Sequence, residues 1–174
     1  MIGLGTDSDR MQAVVDTSLG RFAVAATAKG LCALTPLGAR TAAARPAAET
    51  QSPPAAEHEG HAHVAAAAAA LTAYCAGDPA PYTGALDLAG SELQLRVLRH
   101  LLEIPFGAQV TYGALAKDLG LPGDARAVGQ AIASNPIAIL IPCHRVVGAG
   151  GTLRGYAWGL DLKGRLLAHE LRIG

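Results

Sequence analysis

A cysteine and a histidine stand side by side after a proline, in the sequence Pro142-Cys143-His144. Only the thiolate form of a cysteine is a strong nucleophile, and a free cysteine is mostly protonated at neutral pH. A neighbouring imidazole can take the thiol proton, directly or through a water molecule. A single intracellular cysteine is more often a small buried apolar side chain, and the Cys143-His144 pair alone favours that role.

Glu170 adds a third group. It follows Leu167 by three residues and Leu166 by four, so it shares the apolar face of the last predicted helix. A carboxylate that points into a core needs a partner. Paired with His144, it would complete a set of nucleophile, base and orienting group. The pattern equally allows Glu170 to lie at the rim of the helix and reach water, and both interpretations stay open at this point.

The elements that must position these groups are mostly helical. Two short helices are predicted over residues 112–119 and 124–134, with Thr111 as the N-cap of the first. The glycine-containing turn 120–123 between them is typical of a helix-turn-helix. Three further elements, a buried strand or extended segment, a glycine-rich loop and a last helix, are predicted over residues 137–141, 148–159 and 161–171.

The first half of the chain predicts a different architecture. Alternating apolar and polar residues predict three short strands, around residues 14–15, 22–26 and 31–34. Residues 38–63, rich in Ala, Pro, Glu and His, predict a flexible segment, and residues 64–75 predict a helix. The expected fold class is α+β: an N-terminal α/β subdomain, 1–90, with a small antiparallel sheet and a helix, and a mostly helical catalytic domain, 91–174, with the helix-turn-helix.

Charge and cysteine content restrict the partners and the compartment. The net charge is zero, but residues 1–90 carry −3 and residues 91–174 carry +3, so the second half is the better partner for a polyanion. Three widely spaced cysteines and no signal peptide predict a reducing compartment, and the apolar run 64–71 is too short to span a membrane. We expect a cytoplasmic monomer (nuclear in a eukaryote), with no cofactor and no membrane contact.

Residues 110–170 resemble the catalytic domain of the O6-alkylguanine-DNA alkyltransferases, also called methylated-DNA–protein-cysteine methyltransferases. The resemblance is thin over the first 90 residues. The matching segments are Tyr112-Gly113, residues 125–129, Asn135-Pro136, residues 141–147, Gly155-Tyr156 and residues 166–170. It implies irreversible, stoichiometric transfer of an alkyl group, mainly methyl, from O6 of guanine in double-stranded DNA to the protein.

The resemblance assigns a role to each catalytic position. Cys143 would accept the alkyl group, His144 would act as a base through water, and Glu170 would orient His144. Asn135 would brace the turn that carries the nucleophile. Tyr112 would contact the DNA backbone and donate a proton to the departing guanine.

The resemblance also implies a surface that flips the damaged base out of the duplex from the minor groove. Arg126 would fill the gap left by the base, beside the further DNA-binding positions Ala127, Gly129 and Gln130. Small residues on this helix favour close approach to DNA and little sequence specificity. The substrate pocket would be lined by Ile132, Val146, Tyr156, Ala157 and Trp158, and part of it would come from the loop 153–158.

Some positions depart from the family pattern. Trp158 stands where many members have a small residue, which predicts a tighter pocket that prefers methyl over benzyl adducts; the alternative is that Trp158 only packs the loop. Ala157 has no hydroxyl, so any contact there must come from its backbone N–H. A structural zinc site is not expected, because the candidate ligands do not match the family's pattern; they are Cys32, Cys75, His58, His61 and His63.

Three other functions remain open on the sequence. A noncatalytic damage-binding relative would lack the cysteine that Cys143 supplies. A helix-turn-helix regulator would bind DNA without chemistry. A cysteine hydrolase would need a group that stabilises an oxyanion, and no motif of that kind is apparent.

Overall fold

The chain forms a small antiparallel sheet covered by a helix and followed by further helices, in a computed structural model that describes residues 10–38, 59–79 and 81–173. The predicted α+β fold class is confirmed. In chain order the elements are β1 (Met11–Thr17), β2 (Gly20–Thr27), β3 (Gly30–Pro36), α1 (Glu59–Ala76), α2 (Glu92–Leu101), β4 (Val110–Thr111), α3 (Tyr112–Asp118), α4 (Ala125–Ala133), β5 (Val146–Val147) and α5 (Leu160–Ile173).

Strands β1, β2 and β3 pair in that order, with Val15 opposite Phe22 and Val24 opposite Leu34. The predicted strands are therefore confirmed. Helix α1 packs on the sheet and buries Val64, Ala67, Leu71 and Tyr74 at helical spacing.

Helix α1 begins at Glu59, five residues before the predicted start. The prediction that residues 38–63 form a flexible segment is thus wrong for residues 59–63, and residues 39–58 lie outside the described part. The physical reason is that the residue composition of this segment predicts little helix, whereas contact with the sheet stabilises the first turn of α1. Gly60, for example, lies so close to β1 that a Cβ there would be 2.9 Å from the side chain of Met11.

The predicted helix-turn-helix is confirmed by α3 and α4. The Thr111 hydroxyl accepts a hydrogen bond from the backbone N–H of Ala114, and the Asp124 carboxylate accepts one from Ala127. Strand β4, which leads into α3, pairs in parallel with β5, which follows the nucleophile turn. This pairing ties the helix-turn-helix to the segment that carries Cys143.

The apolar run 137–141 is a buried turn, so the predicted strand or extended segment is wrong. Ile137 makes one bridge with Leu34, and the chain then turns through Ile139, which has a φ of 66°. A β-branched residue in the left-handed region costs on the order of 1–3 kcal/mol. The Asn135 amide offsets this cost by donating to the carbonyls of Ile137 and Ile141, each at 3.0 Å. The run is apolar because it is buried, and burial alone does not distinguish a strand from a buried turn.

The buried apolar side chains form one cluster that includes residues of both halves of the chain. The division into domains at residue 90 stays a prediction. Among the described helices, none combines the length and the apolar character needed to cross a membrane.

Candidate active site

Cys143 lies in a buried single-turn 3-10 helix, Cys143–Arg145, and is 2% exposed. The Asn135 side-chain amide donates to its Sγ at 3.1 Å. Burial raises the pKa of the Cys143 thiol to about 11, while the hydrogen bond from Asn135 and the charge of Lys163 act in the opposite direction. At neutral pH the group is therefore a thiol that needs a base in order to react.

The expected base, His144, follows Cys143 directly along the chain. His144 is fully buried, and its Nε2 lies 2.7 Å from Oε1 of Glu170. Burial lowers the pKa of His144, although Glu170 raises it in part, so the ring is neutral at pH 7. Its Nδ1 has no hydrogen-bond partner among the described residues. With the proton on Nε2, facing the carboxylate, Nδ1 presents a free lone pair that can accept a proton.

Glu170 is 1% exposed and faces the core, so the pairing interpretation is correct for its position. Arg145, which the sequence analysis missed, donates from Nε to Oε2 at 3.0 Å and from Nη2 to Oε1 at 3.0 Å. The backbone N–H of Gly107 donates to Oε2 at 2.9 Å, and the Tyr74 hydroxyl donates to Oε1 at 2.8 Å. Burial alone would raise the pKa of Glu170, but hydrogen bonds from His144 and Arg145 bring it down to about 2. The carboxylate is thus ionised and held by several donors.

A cavity of about 510 Å³ opens beside the thiol, between α4 and the loop that follows Gly151. It reaches the surface, because Arg126, Gln130 and Arg154 are exposed at its edge. Its lining consists of Tyr112, Ala125, Arg126, Gly129, Gln130, Ile132, Ala133, Cys143, Arg154, Gly155, Tyr156 and Ala157. The structure therefore brings Cys143 together with most of the positions expected to bind DNA or substrate.

The loop over this cavity is held by two side chains. The Tyr112 hydroxyl lies 3.0 Å from the carbonyl of Arg154 and 3.1 Å from that of Gly155. Lys163, which is fully buried, donates from Nζ to the carbonyls of Val146 at 2.6 Å and Arg154 at 2.7 Å. Sequence reasoning missed Lys163, yet it precedes Leu166 and Leu167 by three and four residues. The spacing that drew attention to Glu170 would have found it.

Three of the residues expected to bind DNA or substrate lie outside the lining. Ala127 is half-buried, and its N–H donates to the carboxylate of Asp124, the N-cap of α4. Val146 is buried and contributes its carbonyl to Lys163. Trp158 is 5% exposed, with its ring edge-on to Tyr156 at 5.3 Å between centroids, and it borders a separate cavity beside Leu19. The expectation that Trp158 lines the pocket wall is corrected to the alternative, in which Trp158 packs the loop, because its ring is buried and lies edge-on against that of Tyr156.

The candidate zinc ligands are dispersed. Cys32 Sγ contacts the carbonyl of Ala25 at 3.3 Å, and His61 is exposed at the start of α1. His58 lies outside the described residues. Within the described ranges, no three His, Cys, Asp or Glu side chains form a group that could hold a metal ion.

The sequence and the fold are both similar to those of characterised proteins. Residues 92–172 match the family model described as 6-O-methylguanine DNA methyltransferase, DNA binding domain. The crystal structure of Mycobacterium tuberculosis OGT in complex with DNA has a TM-score of 0.77 and 37% identity, and the match covers 91% of each chain. The chain belongs to the methylated-DNA–protein-cysteine methyltransferase family.

Curated members of this methyltransferase family match a little more than half of the chain. The methylated-DNA–protein-cysteine methyltransferase of Mycolicibacterium paratuberculosis is 55% identical over 102 residues, which are 59% of this chain and 62% of that protein. The one from Methanosarcina acetivorans is 51% identical over 100 residues, which are 58% of this chain and 64% of that protein. These alignments span less than two thirds of the relatives' length. The match in fold is wider, so the N-terminal sheet and α1 are also part of the methyltransferase fold.

Proposed function

We propose that this protein repairs DNA by moving an alkyl group, mainly methyl, from O6 of guanine to Sγ of Cys143. The observation that carries the proposal is the juxtaposition of a buried thiol, the His144–Glu170 pair next to it, and a cavity beside the thiol. The volume of that cavity, about 510 Å³, lies in the range of pockets that enclose a small ligand.

The transfer begins with a proton. The thiol proton of Cys143 passes to Nδ1 of His144, through a water molecule, while Glu170 stabilises the imidazolium that forms. The thiolate then attacks the alkyl carbon, an S–C bond forms, and the C–O6 bond breaks with its electron pair left on guanine. Tyr112, which lines the cavity, supplies the proton that makes the departing base neutral. It then regains a proton from solvent, while the imidazolium of His144 releases to solvent the proton that it took from the thiol.

A guanine inside a duplex cannot reach a buried sulfur, so the base must rotate out of the stack. Arg126 is exposed near the start of α4 and lies on the lining of the same cavity. It fills the space that the base leaves and offsets part of the few kcal/mol that unstacking costs. The small residues Gly129 and Ala127 allow α4 to approach the DNA closely, and Gln130 contacts the DNA backbone.

The thioether product is not opened by hydrolysis, so each molecule reacts once. The test is intact-mass measurement after incubation with a duplex that contains O6-methylguanine. We expect the native protein to gain one methyl group and Cys143→Ala to gain none. Cys75→Ala, which removes the half-buried thiol of α1, is the matched control and should gain one. Methyl gain by Cys143→Ala, or free methanol released with turnover, would contradict the proposal.

A further inference from the structure

Tyr74 connects the N-terminal helix α1 to the site. Its side chain is buried at 7% exposure, and its hydroxyl donates to Oε1 of Glu170 at 2.8 Å. Its ring packs edge-on against Phe106, at 5.7 Å between centroids, and is tilted against the ring of His169, at 5.4 Å. The other side-chain donors to Glu170, His144 and Arg145, stand next to Cys143 in the chain. Tyr74 is the donor that comes from the opposite half of the molecule.

The hydrogen of the Tyr74 hydroxyl is committed to the carboxylate. Oε1 also accepts from His144 Nε2 at 2.7 Å, and the two donor atoms lie 3.4 Å apart. Burial and the charge of Glu170 both raise the pKa of Tyr74, so it is a neutral donor throughout the pH range in which proteins are folded.

A hydrogen bond donated to a carboxylate stabilises its charge and weakens its attraction for other protons. Without the Tyr74 hydroxyl, Glu170 would hold the proton of His144 more strongly and the imidazolium would persist to higher pH. A protonated His144 offers no lone pair to the Cys143 thiol.

We propose that Tyr74 is a positioning residue for alkyl transfer: through Oε1 of Glu170 it keeps His144 neutral and oriented as the acceptor of the Cys143 proton. The N-terminal subdomain thereby contributes to the chemistry as well as to the fold. This inference rests on the proposed function, because the proton transfer it governs is the first step of that reaction.

The other charged or titratable groups that face this cluster stay unchanged when only the hydroxyl is removed. Arg145 and Lys163 carry the nearby positive charges. His169 contacts the backbone carbonyl of Tyr74 at 2.8 Å. Cys75, Tyr156 and Cys143 complete the set.

The test compares Tyr74→Phe with Tyr82→Phe. Both residues line one cavity at the boundary between the two halves, and the Tyr82 hydroxyl is buried without a partner among the described residues. Each variant therefore loses one buried hydroxyl and keeps its ring. Single-turnover transfer from O6-methylguanine duplex is measured from about pH 5 to pH 9. We expect the acidic limb of Tyr74→Phe to move up by ~0.5–1 pH unit, the effect of one lost hydrogen bond, with the alkaline plateau unchanged. Tyr82→Phe should follow the native profile.

A second measurement does not depend on alkyl transfer. The His144 ring is titrated by NMR in histidine-labelled protein, with its signal assigned through His144→Gln. A higher midpoint in Tyr74→Phe than in the native protein and Tyr82→Phe supports the inference, even if the native protein accepts no methyl group and the proposed function fails. Unchanged His144 titration together with superimposable rate profiles would overturn it.

Discussion

At the scale of single residues, the reactivity of Cys143 depends on the polar groups that burial leaves beside it. Removal from water makes the thiol harder to ionise, and Asn135 provides the largest opposing contribution. The same amide group also bonds the carbonyls of Ile137 and Ile141, so it holds the turn and the sulfur together. Structure and reactivity are coupled in this one side chain.

We expect Asn135→Ala to lower both stability and rate. Two buried carbonyls lose a donor, which costs about 1–3 kcal/mol of unfolding free energy, and the thiolate loses its hydrogen bond, which slows transfer by ~10-fold or more. Urea unfolding and single-turnover kinetics measure the two effects. Ser134→Ala is the control, because that hydroxyl bonds only to the carbonyl of Ala131. A native rate in Asn135→Ala would refute the role given to the amide.

At the scale of elements, α4 lines the cavity directly, whereas α5 acts on it through the loop that carries Arg154. Helix α4 presents Arg126 and Gln130 at the exposed edge, while α5 inserts Lys163 beneath the loop that carries Arg154. Under the proposed function the first contribution acts on DNA and the second on the shape of the pocket, so substitutions in the two helices should have separable effects.

Arg126→Ala should slow transfer from duplex DNA by ~10–100-fold, since an unfilled gap leaves a few kcal/mol of unstacking uncompensated. Transfer from the free base O6-benzylguanine, which needs no flipping, should stay near the native rate. Arg99→Ala removes an equally exposed arginine from α2, which does not line the cavity, and it corrects for the lost charge. Equal losses on the two substrates would contradict base-gap filling.

Lys163→Met should loosen the loop at Arg154, because two backbone carbonyls lose their buried donor. For this variant, the rates of alkyl transfer from duplex DNA and from the free base should fall by a similar factor, in contrast to Arg126→Ala. Hydrogen exchange at residues 153–158 should accelerate. Arg172→Met, an exposed position on the same helix, should leave both measurements unchanged. Native protection of residues 153–158 from hydrogen exchange in Lys163→Met would contradict the prediction.

At the scale of the whole molecule, the two halves are joined by polar contacts as well as by the shared core. Tyr74 reaches Glu170, Arg165 donates to the carbonyl of Leu19 at 3.1 Å, and Leu34 pairs with Ile137. The Glu170 carboxylate and its hydrogen-bond donors lie at this junction. The ionisation of Glu170 therefore affects the stability of the complete chain, as well as the protonation of His144.

The pKa of Glu170 is about 2 in the folded protein and 4.5 as the ordinary value. Because the folded value is depressed, the ionised carboxylate stabilises the fold above about pH 4.5, and this stabilisation is lost as the pH falls toward 2. Urea unfolding between pH 6 and pH 3 should show a loss of a few kcal/mol in the native protein. Glu170→Gln should have a lower free energy of unfolding at pH 6 and should lose less of it as the pH falls to 3. Asp161→Asn, exposed on α5, should follow the native slope, and identical slopes for Glu170→Gln and the native protein would refute the expectation.

The sequence by itself determined the chemistry and the local elements. The Pro142-Cys143-His144 segment, the cap Thr111 and the helical spacing of Glu170 are local properties that residue type and interval encode. Local patterns were sufficient to predict the α+β class and the helix-turn-helix, whereas the spacing of Glu170 left its pairing with His144 open and only the family resemblance implied it.

Only the tertiary structure decided which side chains from distant segments meet. Apolar periodicity reports that a position is buried but not what it contacts, so Tyr74 and Arg145 could not be assigned to Glu170. For the same reason Trp158 was expected in the pocket wall and the run 137–141 in a strand. Which face a buried ring turns to, and whether a buried segment extends or turns, is determined by packing and hydrogen bonds contributed by residues far away in the chain.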